Sequence, residues 1–527
     1  HLQLNEGDCF IEWLPDELLT QILSELDQTS LGRCAQLSRR WQRLATQPRL
    51  WRKIRIGCRN PGMTPGLALC LSAQLAGAVL ELHADRLAAD ELVHLLSGSP
   101  DLQSLTIDGI SGPPGSESPL VTLSRCCRRL RSLRLLRCGG LLSAHSLAQL
   151  GAGCPHLAHL ALDFSSCASL GGSREEFSTL ACGLESLSLA FFSAHAEQTV
   201  EHLALTIPVC KRLSRLSIGC SRESVLLQLL LRMPRLADLT VRELRFTDKL
   251  AGQLVAAAER SGGFESLDFR SCQQLTERGL VALLSACPSL RRLRLSDCRA
   301  LGGVGYRLAA ARLPPGLEQL RLTGWAWPGL VEADLALPLP RGLRELELLL
   351  NQQGSPAGLC GLGLRAGLAG CRELTKLTLD LCHSDLLPAL LTQLPRLRCL
   401  RLTDCRRLTY QAWGLTASSP DLHELMLLQW SSLTDEAVAD LCASPVARGL
   451  RRLCLSPCLQ LTRASLASIA SSCPWLTRLT LNGCRRISQA DLQLAQPAFE
   501  QRVELIIGRE AEAAAQKLQF LSDTELD

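Results

Sequence analysis

Residues 287–298 read Cys287-Pro288-Ser289-Leu290-Arg291-Arg292-Leu293-Arg294-Leu295-Ser296-Asp297-Cys298. The same frame returns as Cys473-Pro474-Trp475-Leu476-Thr477-Arg478-Leu479-Thr480-Leu481-Asn482-Gly483-Cys484. What the two share is an apolar triplet, L-x-x-L-x-L, set between two cysteines. Its last three positions alternate as a short strand does, and the stretch before Cys287 is apolar at helical spacing, at Leu280, Leu283 and Leu284. Strand, turn, helix and turn make one unit.

Working outward, first positions of the triplet fall at 51, 77, 102, 130, 157, 184, 213, 236, 264, 290, 317, 343, 374, 397, 422, 450, 476 and 502. Gly77 and Arg502 are degenerate members. Spacings of 23 to 31 residues lie in or just above the roughly 20–29 expected of strand-containing solenoid repeats. No unit buries its apolar face alone, but about eighteen strands stacked ~4.8 Å apart share one core along an arc of roughly 80 Å. The fold class is α/β, and a stack of this kind is first of all a binding surface.

A chain of 527 residues with 46% hydrophobic content would otherwise suggest several globular domains. A solenoid grows without enlarging any one core, which removes that inference. The net charge of +5 calls for neither nucleic acid nor a membrane surface. The longest run without charge or histidine, Asn60 to Leu80, contains Gly62, Pro65, Ser72 and Gln74 and ends in repeat register, so it is not read as a membrane span. No N-terminal segment has the layout of a secretory signal, although a chain starting at His1 leaves room for an upstream piece.

The 25 cysteines follow the repeat. Cys138, Cys272, Cys298, Cys382, Cys405, Cys458 and Cys484 lie three residues past a strand's last apolar position. Cys127, Cys154, Cys210, Cys287, Cys371 and Cys473 lie three before the first. These are core-facing turn positions where a thiol acts as a small hydrophobe, and their number fits a reducing compartment, cytoplasmic or nuclear. No C-x-x-C pair supports zinc, and no histidine has a partner at nucleophile-and-base spacing; neither metal, cofactor nor catalysis is expected.

The pattern C-P-x-L-x-x-L-x-L-x-x-C-x-x-L-T resembles the cysteine-containing subclass of leucine-rich repeats. That resemblance implies a horseshoe with parallel strands on its concave face and helices on its convex face. The segment ahead of it differs. Pro15 suits the first turn of a helix, Asp16 and Glu17 complement its dipole, and Leu18, Leu19, Ile22 and Leu26 form one apolar stripe. Ser30 is expected to cap a second helix carrying Leu31, Cys34, Ala35, Trp41 and Leu44. About forty residues this apolar require a cover.

The Leu14-Pro15-x-Glu17-Leu18 opening, Ile22 and Leu26, Leu31, Arg40-Trp41 and Leu50-Trp51 make this segment similar to an F-box. The resemblance implies docking of Leu14, Pro15, Glu17, Leu18, Ile22, Leu26 and Leu31, with Trp41, on the S-phase-kinase-associated adaptor and through it on a cullin. Trp41 and Trp51 would also tie the box together and to the first repeat. Capping of the solenoid's end is the compatible plain reading. The expected domains are an F-box at 8–50, a repeat solenoid at 51–507 and an acidic tail at 508–527.

On the strands, residues between the apolar positions face the concave side. They make the middle basic, at Arg242, Arg270, Arg292, Arg294 and Arg321, with Asp238 and Asp268 among them. Glu345 and Glu347 follow, then Lys376, Asp380 and Arg401, then Met426 and Leu428. The arginines either keep an exposed sheet in solution or hold an acidic or phosphorylated protein segment. Trp325 and Trp327, in a poor helix, are either exposed anchors or fillers of a gap in the core. The tail is either an internal mimic of the partner or a solvated end.

Two functions follow. The first is a non-catalytic substrate-recognition subunit of an SCF-type ubiquitin ligase, its box on the adaptor and its concave face on the target. The alternative is a scaffold or inhibitor similar to the leucine-rich ribonuclease inhibitors, with the box as a cap only. That alternative expects an acidic inner face.

Overall fold

The computed structural model describes residues 11, 14–57, 78–111, 118–138, 144–163, 183–190, 207–219, 222–298, 300–301, 312–325, 339–350, 366–379, 386–403, 405, 422–430, 433–456, 459–481, 483–484, 486–499 and 503–506. Trp327, Asp380, Cys382, Cys458 and the tail from 508 lie outside them. The chain divides into two compact units, His1–Val241 and Arg242–Asp527.

The first unit opens with three short helices, α1 (Asp16–Ser24), α2 (Gln28–Cys34) and α3 (Arg39–Ala45), then a 3-10 turn over Pro48–Trp51. Strands β1 (Lys53–Gly57), β2 (Glu81–Ala88), β3 (Ser104–Ser111), β4 (Ser132–Leu136), β5 (His159–Asp163), β6 (Ser186–Ala190) and β7 (Arg215–Gly219) pair in parallel, each with the next. Helices α4 (Ala89–Ser97), α5 (Pro119–Cys126), α6 (Ala144–Gly153) and α7 (Glu223–Leu230) return the chain between strands. Strand β8 (Asp238–Arg242) spans the division.

In the second unit α8 (Asp248–Ser261) leads to β9 (Ser266–Arg270), and α9 (Glu277–Ala286) to β10 (Arg292–Ser296). Strands β11 (Gln319–Trp325), β12 (Glu345–Leu350) and β13 (Lys376–Leu379) precede α10 (Leu386–Gln393). Then come β14 (Cys399–Leu402), β15 (Glu424–Leu428), α11 (Asp435–Ala443), α12 (Pro445–Gly449), β16 (Arg452–Ser456), α13 (Arg463–Ser472), β17 (Arg478–Thr480), α14 (Gln489–Ala495) and β18 (Glu504–Ile506). Strands β9 to β18 are again paired in parallel. The architecture is thus α/β, a helical N-terminal segment followed by a parallel strand-and-helix solenoid of leucine-rich-repeat type.

Register places the middle leucine of every triplet in one row. In the second unit the row runs Leu267, Leu293, Leu320, Leu346, Leu377, Leu400, Leu425, Leu453, Leu479 and Leu505. One triplet differs from its expected place. Ile54 faces Leu82 and Leu82 faces Leu105, so the second member is Val79/Leu82/Ala84, all buried, and does not begin at Gly77.

A further periodicity is set by backbone conformation. Two residues past the last apolar position the chain turns left-handed, at Arg86, Gly109, Arg137, Glu243, Ser271, Asp297, Gly324, Gln429 and Gly483. The N–H of this residue extends the ladder by one bond: Ser271 N to Ser296 O is 2.8 Å and Asp297 N to Thr323 O is 2.9 Å. Gly324, with φ +74°, is required for a second reason, because a Cβ there would overlap the Asp297 carboxylate and lie 3.0 Å from its nitrogen.

The turn cysteines that are described are buried free thiols. Desolvation pushes Cys127 up to about 12 and Cys138, Cys154 and Cys371 up to about 11.

Candidate functional site

Two surfaces are candidates, one in each unit. The first is the helical segment. Leu19 and Leu23 of α1 are fully buried, and Leu31, Trp41 and Leu44 are buried as well. Leu18 and Ile22, on the other side of the same helix, are 47% and 42% exposed. Pro15 and Glu17 are exposed as well, and Leu14 and Leu26 half-buried. The single stripe expected on α1 is therefore two: an inner one that includes the unnoticed Leu23, and an outer one that leaves large apolar side chains in solvent. Exposed Ile11 and Leu37 add to the apolar surface of the segment.

Leu31 and Trp41 hold the helices together from inside, being 2% and 6% exposed. The expected second helix is two. Asp27, not Ser30, caps α2, accepting from Ser30 N at 2.7 Å, while Ser38 caps α3, accepting from Trp41 N at 3.3 Å. Asp and Ser are equally good caps, and Ser30 has the look of one only when Asp27 is overlooked.

Ion pairs fix the start of α1. Arg40 Nη2 donates to Leu14 O at 2.6 Å and to Asp16 Oδ1 at 2.7 Å, and Arg43 reaches Asp16 Oδ2 at 2.9 Å. The Arg40 hydrogen bond, followed by the opposing effect of burial and the charges of both arginines, leaves the Asp16 carboxyl below its ordinary value. Trp51, 1% exposed, donates from Nε1 to Ala45 O at 2.7 Å. Gln28 joins the helices to β1, donating to Lys53 O and accepting from Arg55 N at 3.1 Å.

The second surface is the strand face of the second unit that alternates with the leucine rows. Adjacent strands bring Arg292 beside Gln319 and set Asp268, Arg294, Arg321 and Glu347 in one line. Arg242 and Arg294 are half-buried and Arg292 exposed. Arg270 and Arg321 are held by carboxylates of the sheet itself. Arg270 holds Asp268 with Nη2 to Oδ2 at 2.7 Å and Nε to Oδ2 at 3.0 Å. Arg321, 8% exposed, lies 3.3 Å from Glu345 Oε2 and 3.7 Å from Glu347 Oε2. At Arg321 the expected basic stretch and the acidic stretch after it neutralise each other across neighbouring strands.

Further along, Arg401 Nε donates to Met426 Sδ at 3.2 Å. Trp325 ends β11. On the first unit, reading the sequence missed a cluster at the strand exits, where Arg137 Nε bonds Asp108 Oδ1 at 2.7 Å and its N–H reaches Asp163 Oδ2 at 3.3 Å. Among the described residues no group of three or more His, Cys, Asp and Glu could hold a metal, and no helix is long and apolar enough to cross a membrane.

Residues 11–57 match the F-box-like family. An F-box-like domain thus precedes the solenoid. Among solved structures, the chain aligns with "Crystal structure of Rad7 and Elc1 complex in yeast" at 18% identity over 94% of this chain and 94% of that chain, with a TM-score of 0.46. It also aligns with "Crystal structure of TLR13-ssRNA13 complex" at 16% identity over 83% of this chain and 63% of that chain, with a TM-score of 0.38. Both superpositions are loose. The F-box-like and leucine-rich architecture is that of a non-catalytic protein-interaction module.

Proposed function

We propose that this chain is the substrate-recognition subunit of a cullin-type ubiquitin ligase, present where that ligase works, in cytoplasm or nucleus. The observation that carries the reading is the F-box-like domain whose outer stripe, Leu18 and Ile22, is held in solvent beside Leu14, Pro15 and Leu26. Apolar side chains on so small a domain call for a partner, and a cap would turn them inward. The S-phase-kinase-associated adaptor is the partner proposed. A protein target is taken up by the strand face of the second unit, where exposed Arg292 and half-buried Arg242 and Arg294 meet an acidic or phosphorylated segment. Arg270 and Arg321 stiffen that face, with Met426 further along it and Trp325 at the end of β11.

Calorimetry of the full chain against the purified adaptor tests this. Leu14→Ala with Pro15→Ala, and separately Leu18→Asp with Ile22→Asp, should abolish a binding that the native chain shows. Absence of binding by the native chain would reduce the F-box-like domain to a cap.

A further inference from the structure

The chain contains 51 arginines and five lysines, at 53, 211, 249, 376 and 517. Lysine is among the commonest residues of globular proteins, so this is a substitution of one cation for another across the whole molecule. Residues 1–52 carry Arg33, Arg39, Arg40, Arg43, Arg49 and Arg52 and no lysine. In the second unit the turns that enter the strands, and the short α12 before β16, expose Arg291, Arg312, Arg341, Arg344, Arg372, Arg396, Arg398, Arg448 and Arg451. Six of these, Arg312, Arg341, Arg372, Arg398, Arg448 and Arg451, form no ion pair among the described residues. Among the described residues nothing at those six asks for a guanidinium, and a lysine would keep the surface as charged and as hydrated.

The two cations differ in one reaction. A lysine amine attacks the thioester carbonyl that joins ubiquitin to the cysteine of a conjugating enzyme. The carbon–nitrogen bond forms, the carbon–sulfur bond breaks, and the departing thiolate takes the proton that the amine gives up. A guanidinium, protonated at every physiological pH and delocalised, has no lone pair for that attack. A recognition subunit is held beside the charged conjugating enzyme for as long as it is bound to the adaptor, with or without a target. Its own amines are then present at a high effective concentration.

We propose that the near-absence of lysine protects this chain from modification by the ligase it assembles, leaving transfer to the target's amines. The proposal rests on the ligase reading above. Of the lysines that are described, Lys376 is half-buried on the strand face, so Lys211, Lys249 and Lys53, which is 74% exposed beside Glu81, are the open acceptors.

The test is self-modification of the full chain in a reconstituted ligase of adaptor, cullin, activating and conjugating enzymes, ubiquitin and ATP. The variant carries Arg312→Lys, Arg341→Lys, Arg372→Lys, Arg398→Lys, Arg448→Lys and Arg451→Lys. A second variant carries only Arg341→Lys, Arg398→Lys and Arg451→Lys, which spreads fewer changes over the unit. Both should melt with the native chain and bind adaptor equally. Self-modification should rise about threefold or more, with the new lysines modified. Equal rates in native and variant chains, with adaptor bound, overturn the protection while leaving the ligase reading intact. Failure of the native chain to bind adaptor in the parallel calorimetry overturns both.

Discussion

Arg40 of α3 clamps Asp16 at the first turn of α1, and the same guanidinium holds the carbonyl of Leu14, 26 residues earlier in the chain. The entry to α1, and so the outward aim of Leu18 and Ile22, depends on a side chain of another helix. Arg40→Ala should leave the solenoid folded and weaken adaptor binding about fivefold, the ~1 kcal/mol that an ordinary intramolecular hydrogen bond contributes, measured by calorimetry. An unchanged affinity would show that α1 keeps its aim without the clamp.

The two stripes of α1 separate binding from folding. Leu23→Ala removes a fully buried side chain and should lower stability by about 2–5 kcal/mol in denaturant unfolding. Leu18→Asp with Ile22→Asp, both at exposed positions, should leave the melting curve in place while adaptor binding is lost. Equal destabilisation by both changes would mean that the outer stripe is covered by the chain itself.

Arg321 is buried between two carboxylates, and breaking such a network is costly because the remaining charges stay behind. Arg321→Met should destabilise the second unit by about 3–5 kcal/mol. Adding Glu347→Gln to it should restore some of the loss. Arg292→Glu, at an exposed position, should instead cost less stability than this and abolish capture of an acidic target, with phosphatase treatment of the target separating a phosphorylated segment from a plain acidic one.

Gly324→Ala should be poorly tolerated, by about 1–3 kcal/mol, since it combines a positive φ with overlap on Asp297. Ser271→Gly, at the equivalent position, should be neutral or stabilising by up to about 1 kcal/mol. The pair of thermal melts tests the left-handed turn as a feature of the repeat.

Asp435, at the start of α11, ties the start of α13 to its own helix: it accepts from Thr462 N at 2.9 Å and Thr462 Oγ1 at 2.6 Å, and from the Ser465 hydroxyl. Burial pushes its carboxyl up, and the Ser465 and Thr462 bonds together bring it below the ordinary 3.8. The folded chain therefore binds this proton more weakly than the unfolded chain does. Its contribution is complete above about pH 4 and fades as pH falls through the lower, folded value. Asp435→Asn should cost about 2 kcal/mol at pH 7 and flatten the fall in stability below pH 4.

The solenoid was legible because its strands announce themselves by leucine at fixed intervals, and the one slip, Gly77 for Val79, arose where Ala84 stands in for the third leucine. The F-box-like segment was legible from its opening and closing residues. What remained hidden depended on neighbours far apart in sequence. That Arg321 belongs to Glu345 and Glu347 follows from the pairing of β11 with β12, which no single stretch displays. The left-handed turn was hidden because Arg, Glu, Ser, Asp and Gln occupy it as well as Gly.

The buried turn thiols of successive repeats make the chain report on its own loosening. With their ionisation pushed toward pH 11 and 12, Cys127, Cys138, Cys154 and Cys371 are inert to an alkylating reagent until the turn around them opens. Each labelled peptide then dates the opening of one turn. Because the thiols recur along the fold, a single timed exposure followed by mass spectrometry would order the repeats by how readily they come apart, with no substitution introduced.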